Sequence, residues 1–250
     1  MPPTVPDSAT VKPPSPWEPV TAMRRMPIVE AGDPLIDFAK EYPDLLLDRQ
    51  RFRYTRATYA RRTVAEMLAR ADDALRSHHR RLAIVEVWRP PHIQRRMYLS
   101  AWNRWREQHP EWSDAQLRRV TNRFTAPVND RRVPPPHSTG GAVDLALVDL
   151  ATGEPLDVHS PYELFDTKAF PFAAPNLTDA ARRNRDLLAE AVLSTGLTNY
   201  PSEYWHWSYG DQGWAYRGGH PHALYGPIVP EGYTPDPADT IDDPLEWIEQ

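Results

Sequence analysis

The sequence predicts an α+β fold built as one domain. Helical apolar stripes alternate with a few short strand-like runs, those runs are unevenly spaced, and no internal repeat divides the 250 residues. Strands so few and so irregular do not make a regular doubly wound sheet. With 9 Trp, 11 Tyr and 6 Phe, the chain has ample bulky apolar surface for a core.

The elements follow in order. Proline outnumbers glycine 28 to 11 and gathers at the two ends and in one internal loop. This sets off a proline-rich, extended arm over 1–25, a folded domain over 26–225 and an acidic proline-rich tail over 226–250. The tail offers Leu245, Trp247 and Ile248 for docking. Thr55 to about Ser77 reads as a helix with Val64, Leu68, Ala71 and Leu75 on one stripe. Residues 81–88 (RLAIVEVW) read as a buried strand stopped by Arg89-Pro90-Pro91. An aromatic helix is expected over 93–108, and Ser113-Asp-Ala-Gln116 fits a capping box opening another. Ala142 to Val148 alternates like a strand. Thr178 to Thr195 reads as a helix stopped by Gly196, and Tyr204 to Tyr209 as an aromatic strand.

Composition narrows the chemistry. A net charge of -5 argues against a nucleic-acid partner, and no apolar run is long enough to span a membrane. The first residues lack a basic segment followed by an apolar run, so cytoplasm is the expected compartment. The absence of cysteine removes disulfides, thiol nucleophiles and Cys-based zinc sites. Any metal must therefore be held by His, Asp or Glu, which points to a catalytic site.

Two segments carry such residues. In Pro-Pro-Pro-His137-Ser-Thr-Gly-Gly-Ala-Val-Asp144, the glycines allow a tight turn that brings His137 and Asp144 to one point. Alternation puts Ala142, Asp144 and Ala146 on one strand face, with Val143, Leu145 and Leu147 on the other. In Glu203-Tyr-Trp-His206, a regular strand would send the acid and the imidazole to opposite faces, so Glu203 is expected just before the strand becomes regular. His137, Asp144 and His206 together make a three-ligand set with a tetrahedral position left open. Glu203 is then a base candidate, and Arg89 a cation for a developing oxyanion. Each residue also has a plain structural reading: His137 on a loop surface, Asp144 in a turn, His206 among core aromatics, Arg89 stacked on Trp88. The pairs His78-His79 and His220-Pro-His222 have ligand-like proximity but sit in loops. Asp72-Asp73 and the acidic tail read as solvated.

His137-x-x-Gly-x-Ala-Val-Asp144, followed about sixty residues later by Glu203-x-x-His206, resembles the signature of the zinc D,D-peptidases, and most closely the D-alanyl-D-alanine dipeptidases. Supporting similarities are the segment 61–68, Trp88-Arg89-Pro90, the Phe165-Asp166 pair and Asn184-Arg-Asp-Leu-Leu188. The resemblance implies a small, mostly antiparallel sheet flanked by helices, the zinc D,D-peptidase (hedgehog-like) fold. It implies one zinc ion per chain on His137, Asp144 and His206, with Glu203 as base and Arg89 stabilising the transition state. It also implies that Asp166 helps hold the ammonium group of a small dipeptide. Pro135 stands where the family often has Ser, and Leu-Ala-Leu follows Asp144 where Thr is often seen. The expected activity is hydrolysis of D-alanyl-D-alanine. A carboxypeptidase acting on peptidoglycan stem peptides and a non-catalytic zinc-binding module are the competing readings.

Overall fold

The computed structural model describes residues 18–163 and 166–248. Residues 1–17 of the arm, and Phe165 of the Phe-Asp pair, lie outside the described residues. A short helix α1 (Val20–Met23) leads through Leu35–Asp37 (β1), Phe38–Glu41 (α2), Leu46–Leu47 (β2) and Tyr59–Arg61 (β3) to the long helix α3, Arg62–Arg76. Arg80–Glu86 (β4), Pro91–Gln108 (α4), Asp114–Phe124 (α5), Ala142–Asp149 (β5) and Asp179–Leu193 (α6) follow. Thr198–Asn199 (β6), His206–Ser208 (β7) and Gln212–Gly218 (α7) complete the regular elements.

The main sheet has the order β2-β4-β5-β7-β6, and only the β2–β4 pair is parallel. One face carries Leu82 and Ile84 of β4, Val143, Leu145 and Leu147 of β5, and Trp207 of β7. Onto it pack Val64, Leu68 and Leu75 of α3 with Leu188 and Val192 of α6, all buried. The apolar spacing along α3 and α6 and the alternation along β5 therefore meet in one core. The α+β class is the one the sequence pattern predicts, and the small, mostly antiparallel sheet is the one the family resemblance implies.

Several boundaries move, for physical reasons. The helix expected from Thr55 begins only at Arg62, because Tyr59–Arg61 pairs antiparallel with β1. The Arg61 amide donates to Gly140 O (3.0 Å), so its backbone is already committed elsewhere. The strand over 81–88 ends at Glu86, where the register with β5 becomes irregular, and Trp88 N turns to Tyr59 O (3.0 Å). Pro91 then occupies the first turn of α4, where a missing N–H costs nothing. The aromatic strand is shorter than expected, since Tyr204 and Trp205 lie in a turn before His206. The capping box of α5 is present, as is a Thr178 cap on α6.

Asp72 corrects a sequence expectation. It is buried, not solvated: its carboxylate accepts from Leu82 N (2.8 Å) and pairs with Arg76 and Arg81. Asp239 of the tail is likewise buried, against Arg96 (3.3 Å). The tail itself is seated by Leu245, by Trp247 edge-on to Phe52 (5.0 Å between centroids) and by Ile248 N on Arg51 O (3.0 Å). Asp72→Ala strands a buried strand amide, so it should lower unfolding free energy by about 1–3 kcal/mol in urea titration. Asp73→Ala next door, on an exposed side chain, should stay within about 0.5 kcal/mol.

Candidate active site

The sheet register sets the geometry of the site. Glu86 of β4 stands opposite Asp144 of β5, and Asp144 stands opposite His206 of β7. Directly opposed residues share a face and lie about 5 Å apart at Cβ, so three ionisable side chains form one row across three strands. The row is on the face away from α3 and α6.

His137 joins the row from a loop. Pro134 and Pro135 lead into a 3-10 turn that opens on a third proline, Pro136–Thr139, and Gly140 reverses the chain at φ +70°. A side chain at Gly140 would strike Leu35, and one at Gly141 would meet Tyr209 O at 2.5 Å. Only glycine allows both the left-handed turn and the close approach. Two bonds stitch the loop to the end of β4: Arg89 N donates to His137 O (3.1 Å), and His137 Nδ1 lies 2.7 Å from Val87 O. A carbonyl only accepts, so Nδ1 carries a proton, and Nε2 is the nitrogen turned toward Asp144. Nε2 stands 3.4 Å from Asp144 Oδ2, and His206 Nδ1 lies 2.9 Å from Asp144 Oδ1. The ligand atoms of His137, Asp144 and His206 all lie within 4.8 Å of one another.

Protonation follows from these neighbours. Burial alone would raise the Asp144 carboxyl, but the two imidazoles hold it well below the usual carboxylate range. Burial pushes His206 down, which favours the neutral ring a metal needs. Two nitrogens and one anionic oxygen at this spacing suit a divalent cation and leave room for a further ligand.

Glu203 lies in a turn just before β7, as the sequence required. Its amide donates to Tyr200 O (2.9 Å), its carbonyl accepts from His206 N (3.1 Å), and Asn199 Nδ2 also donates to that carbonyl (3.0 Å). The turn frees Glu203 from strand alternation and lets it reach the face that carries Asp144 and His206. Burial first, and then the Asp144 charge, raise its carboxyl well above the ordinary value, against the opposing pull of Arg89.

Arg89 is buried and fully engaged. Nε donates to Glu86 Oε2 (2.7 Å), a second nitrogen also pairs with that oxygen, and Nη1 donates to Gln94 Oε1 (2.7 Å). Nη2 stands 3.7 Å from Asp144 Oδ2. Tyr54 donates to the other oxygen of Glu86 (2.7 Å), and Gln94 is held in turn by Ala126 O (2.8 Å). Sequence reasoning missed Glu86, Gln94, Tyr54 and Asn199. An acid inside an otherwise apolar strand was a visible signal for Glu86; the others had none.

Arg89, His137, Asp144, Asp166, Glu203 and His206 all line one cavity of about 1070 Å³. Asp166 closes its own turn by accepting from Lys168 N (2.9 Å). The other histidine pairs join no such cluster among the described residues; His220 stacks on Trp214 at 3.9 Å.

Comparison with known proteins bears on this site. A family model described as D-ala-D-ala dipeptidase matches residues 42–223. A D-alanyl-D-alanine dipeptidase of Synechocystis sp. is 34% identical over 119 residues, covering 43% of this chain and 47% of that protein. One from Enterococcus faecalis is 32% identical over 76 residues, covering 30% of this chain and 37% of that protein. The chain thus spans less than half the length of these curated relatives. A solved structure described as VanYB in complex with D-Alanine-D-Alanine aligns with a TM-score of 0.42 at 14% identity, over 70% of this chain and 92% of that one. That likeness is too slight to argue from. The family match is not: it runs from before α3 through β7 and takes in every residue of the cluster, and on that extent the chain belongs to the D-ala-D-ala dipeptidase family.

Proposed function

We propose that this chain is a zinc metallopeptidase that hydrolyses D-alanyl-D-alanine to two molecules of free D-alanine. The observation that carries this reading is the convergence of His137, Asp144 and His206 in one cavity with Glu203 and Arg89. The names of the curated relatives support the substrate. His137 Nε2, an Asp144 oxygen and His206 Nδ1 would hold the ion. When bound, zinc supplies a Lewis acid that polarises the scissile carbonyl and makes water acidic enough to lose a proton near neutral pH.

The protein groups do the rest. Glu203 takes the proton of the attacking water at its carboxylate, then returns it to the leaving amine nitrogen as the C–N bond breaks. A carboxyl raised by burial is suited to holding that proton between the two steps. Arg89 cannot swing freely, because Glu86 and Gln94 fix its guanidinium, so its charge is in place before negative charge develops on the carbonyl oxygen. Asp166 takes the substrate ammonium. We place the reaction in the cytoplasm, with a free dipeptide as substrate; no helix among the described residues is long and apolar enough to cross a membrane.

One observation favours the carboxypeptidase reading. The cavity is as large as those that hold drug-sized ligands, more than a dipeptide fills. N-acetyl-D-Ala-D-Ala separates the two: a dipeptidase should turn it over at least about a hundredfold more slowly than the free dipeptide, since Asp166 loses its charged partner. Comparable rates would favour the carboxypeptidase.

Two variants test the roles. Glu203→Ala should keep its zinc, measured by metal analysis, and lose about 10²–10⁴ in kcat. Arg89→Ala should lower kcat by a larger factor than it raises KM in steady-state assays, because its contact strengthens only as charge develops.

A further inference from the structure

The segment Asn184-Arg-Asp-Leu-Leu188 has no part in the mechanism above, yet its arginine is among the most buried in the protein. Arg185 is 1% exposed, and no carboxylate among the described residues pairs with it. Its donors go instead to backbone carbonyls of one loop. Nε reaches Val158 O (2.6 Å), Nη1 reaches Pro171 O (2.7 Å) and Phe172 O (3.0 Å), and Nη2 reaches Ala169 O (2.7 Å). Asn184 Nδ2 adds Asp157 O (2.7 Å). The guanidinium also lies over the Tyr204 ring, 4.0 Å from its centroid. Tyr204 directly follows Glu203, and its amide donates to Phe170 O (2.9 Å), while Phe172 N donates to Pro201 O (3.0 Å).

A buried cation without an anion is costly, and burial here pulls the Arg185 pKa down to about 10. No salt bridge among the described residues offsets that cost, and Asp157 acts on the cation only as a more distant charge. What the geometry does supply is a rigid joint: a planar fork grips the loop that carries Asp166 on one side and the ring beside Glu203 on the other. A lysine would keep the charge but could not bond four carbonyls from one flat fork while laying that fork over a ring.

We infer that Arg185 is a positioning residue that fixes the described parts of the Asp166 loop (157–163 and 166–172) against the Glu203 turn (200–206), setting the span between the ammonium site and the base. The catalytic consequence rests on the dipeptidase reading; the mechanical joint does not. The experiment therefore has two arms on the full zinc-loaded chain: R185K, with R183K on the exposed face of α6 as control and Y204L as a milder second variant.

In the first arm, amide exchange read by mass spectrometry should become at least about tenfold faster in 158–172 and 200–205 of R185K, with β5, α3 and zinc content unchanged. Y204L should loosen 200–205 alone, which keeps the joint testable even if R185K folds poorly, and R183K should match wild type. In the second arm, R185K should raise KM for D-Ala-D-Ala at least about tenfold, and adding D166N should cost several-fold less in R185K than in wild type, because both changes remove one interaction. Unchanged exchange in both segments, or faster exchange throughout the chain with fully additive losses, would overturn the inference. A wild-type protein inert on D-Ala-D-Ala but with the expected exchange pattern would overturn the dipeptidase reading and leave the joint standing.

Discussion

An ionised carboxylate sits at the centre of the sheet, on the middle strand of five, and the surrounding site is organised by the need to compensate it. A buried anion is costly unless it is partnered and hydrogen-bonded. Asp144 meets that demand with His137 from the proline-glycine loop, His206 from the neighbouring strand and the Arg89 guanidinium at longer range. His137 is fixed through Val87 O, His206 by its place in β7 and Arg89 by Glu86 and Gln94, so the cluster is held in shape before anything binds. The same negative charge acts outward, helping to raise the Glu203 carboxyl.

Charge on the Asp144 face is also balanced as a chain. Glu86, in the same cross-strand row, takes up Arg89, and Tyr54 and Gln94 complete the bonding of that pair. Removing one member of such a network leaves its neighbours unpaired in a poorly solvated place, so the members are not independent. The sheet thus carries two acids and an imidazole in one row on one side, with Arg89 from beyond β4 set between the acids, and an apolar core on the other.

Much of this was legible in the sequence where local rules apply. The β5 alternation separated Asp144 from Val143, Leu145 and Leu147, and the glycines before it announced a sharp turn. Placing Glu203 outside the regular strand followed from period two alone. What escaped were partners chosen by tertiary contact. Asp72 reads as half of an exposed acidic pair until β4 arrives with the Leu82 amide. Tyr59–Arg61 looks helical until β1 and Gly140 claim its backbone. Asn199 and Gln94 act through carbonyls and a guanidinium that no spacing rule brings to them.

The tail has a consequence for how the protein is handled. Leu245 and Trp247 line the same cavity as the cluster, and so do Val20 and Met23 near the other end, yet the family match covers only residues 42–223. A shortened version cut to the borders of homology would keep all three imidazole and carboxylate donors while opening two flanks of the chamber to solvent. Domain-trimming by similarity, routine in preparing enzymes for crystallography, would here remove masonry rather than ornament.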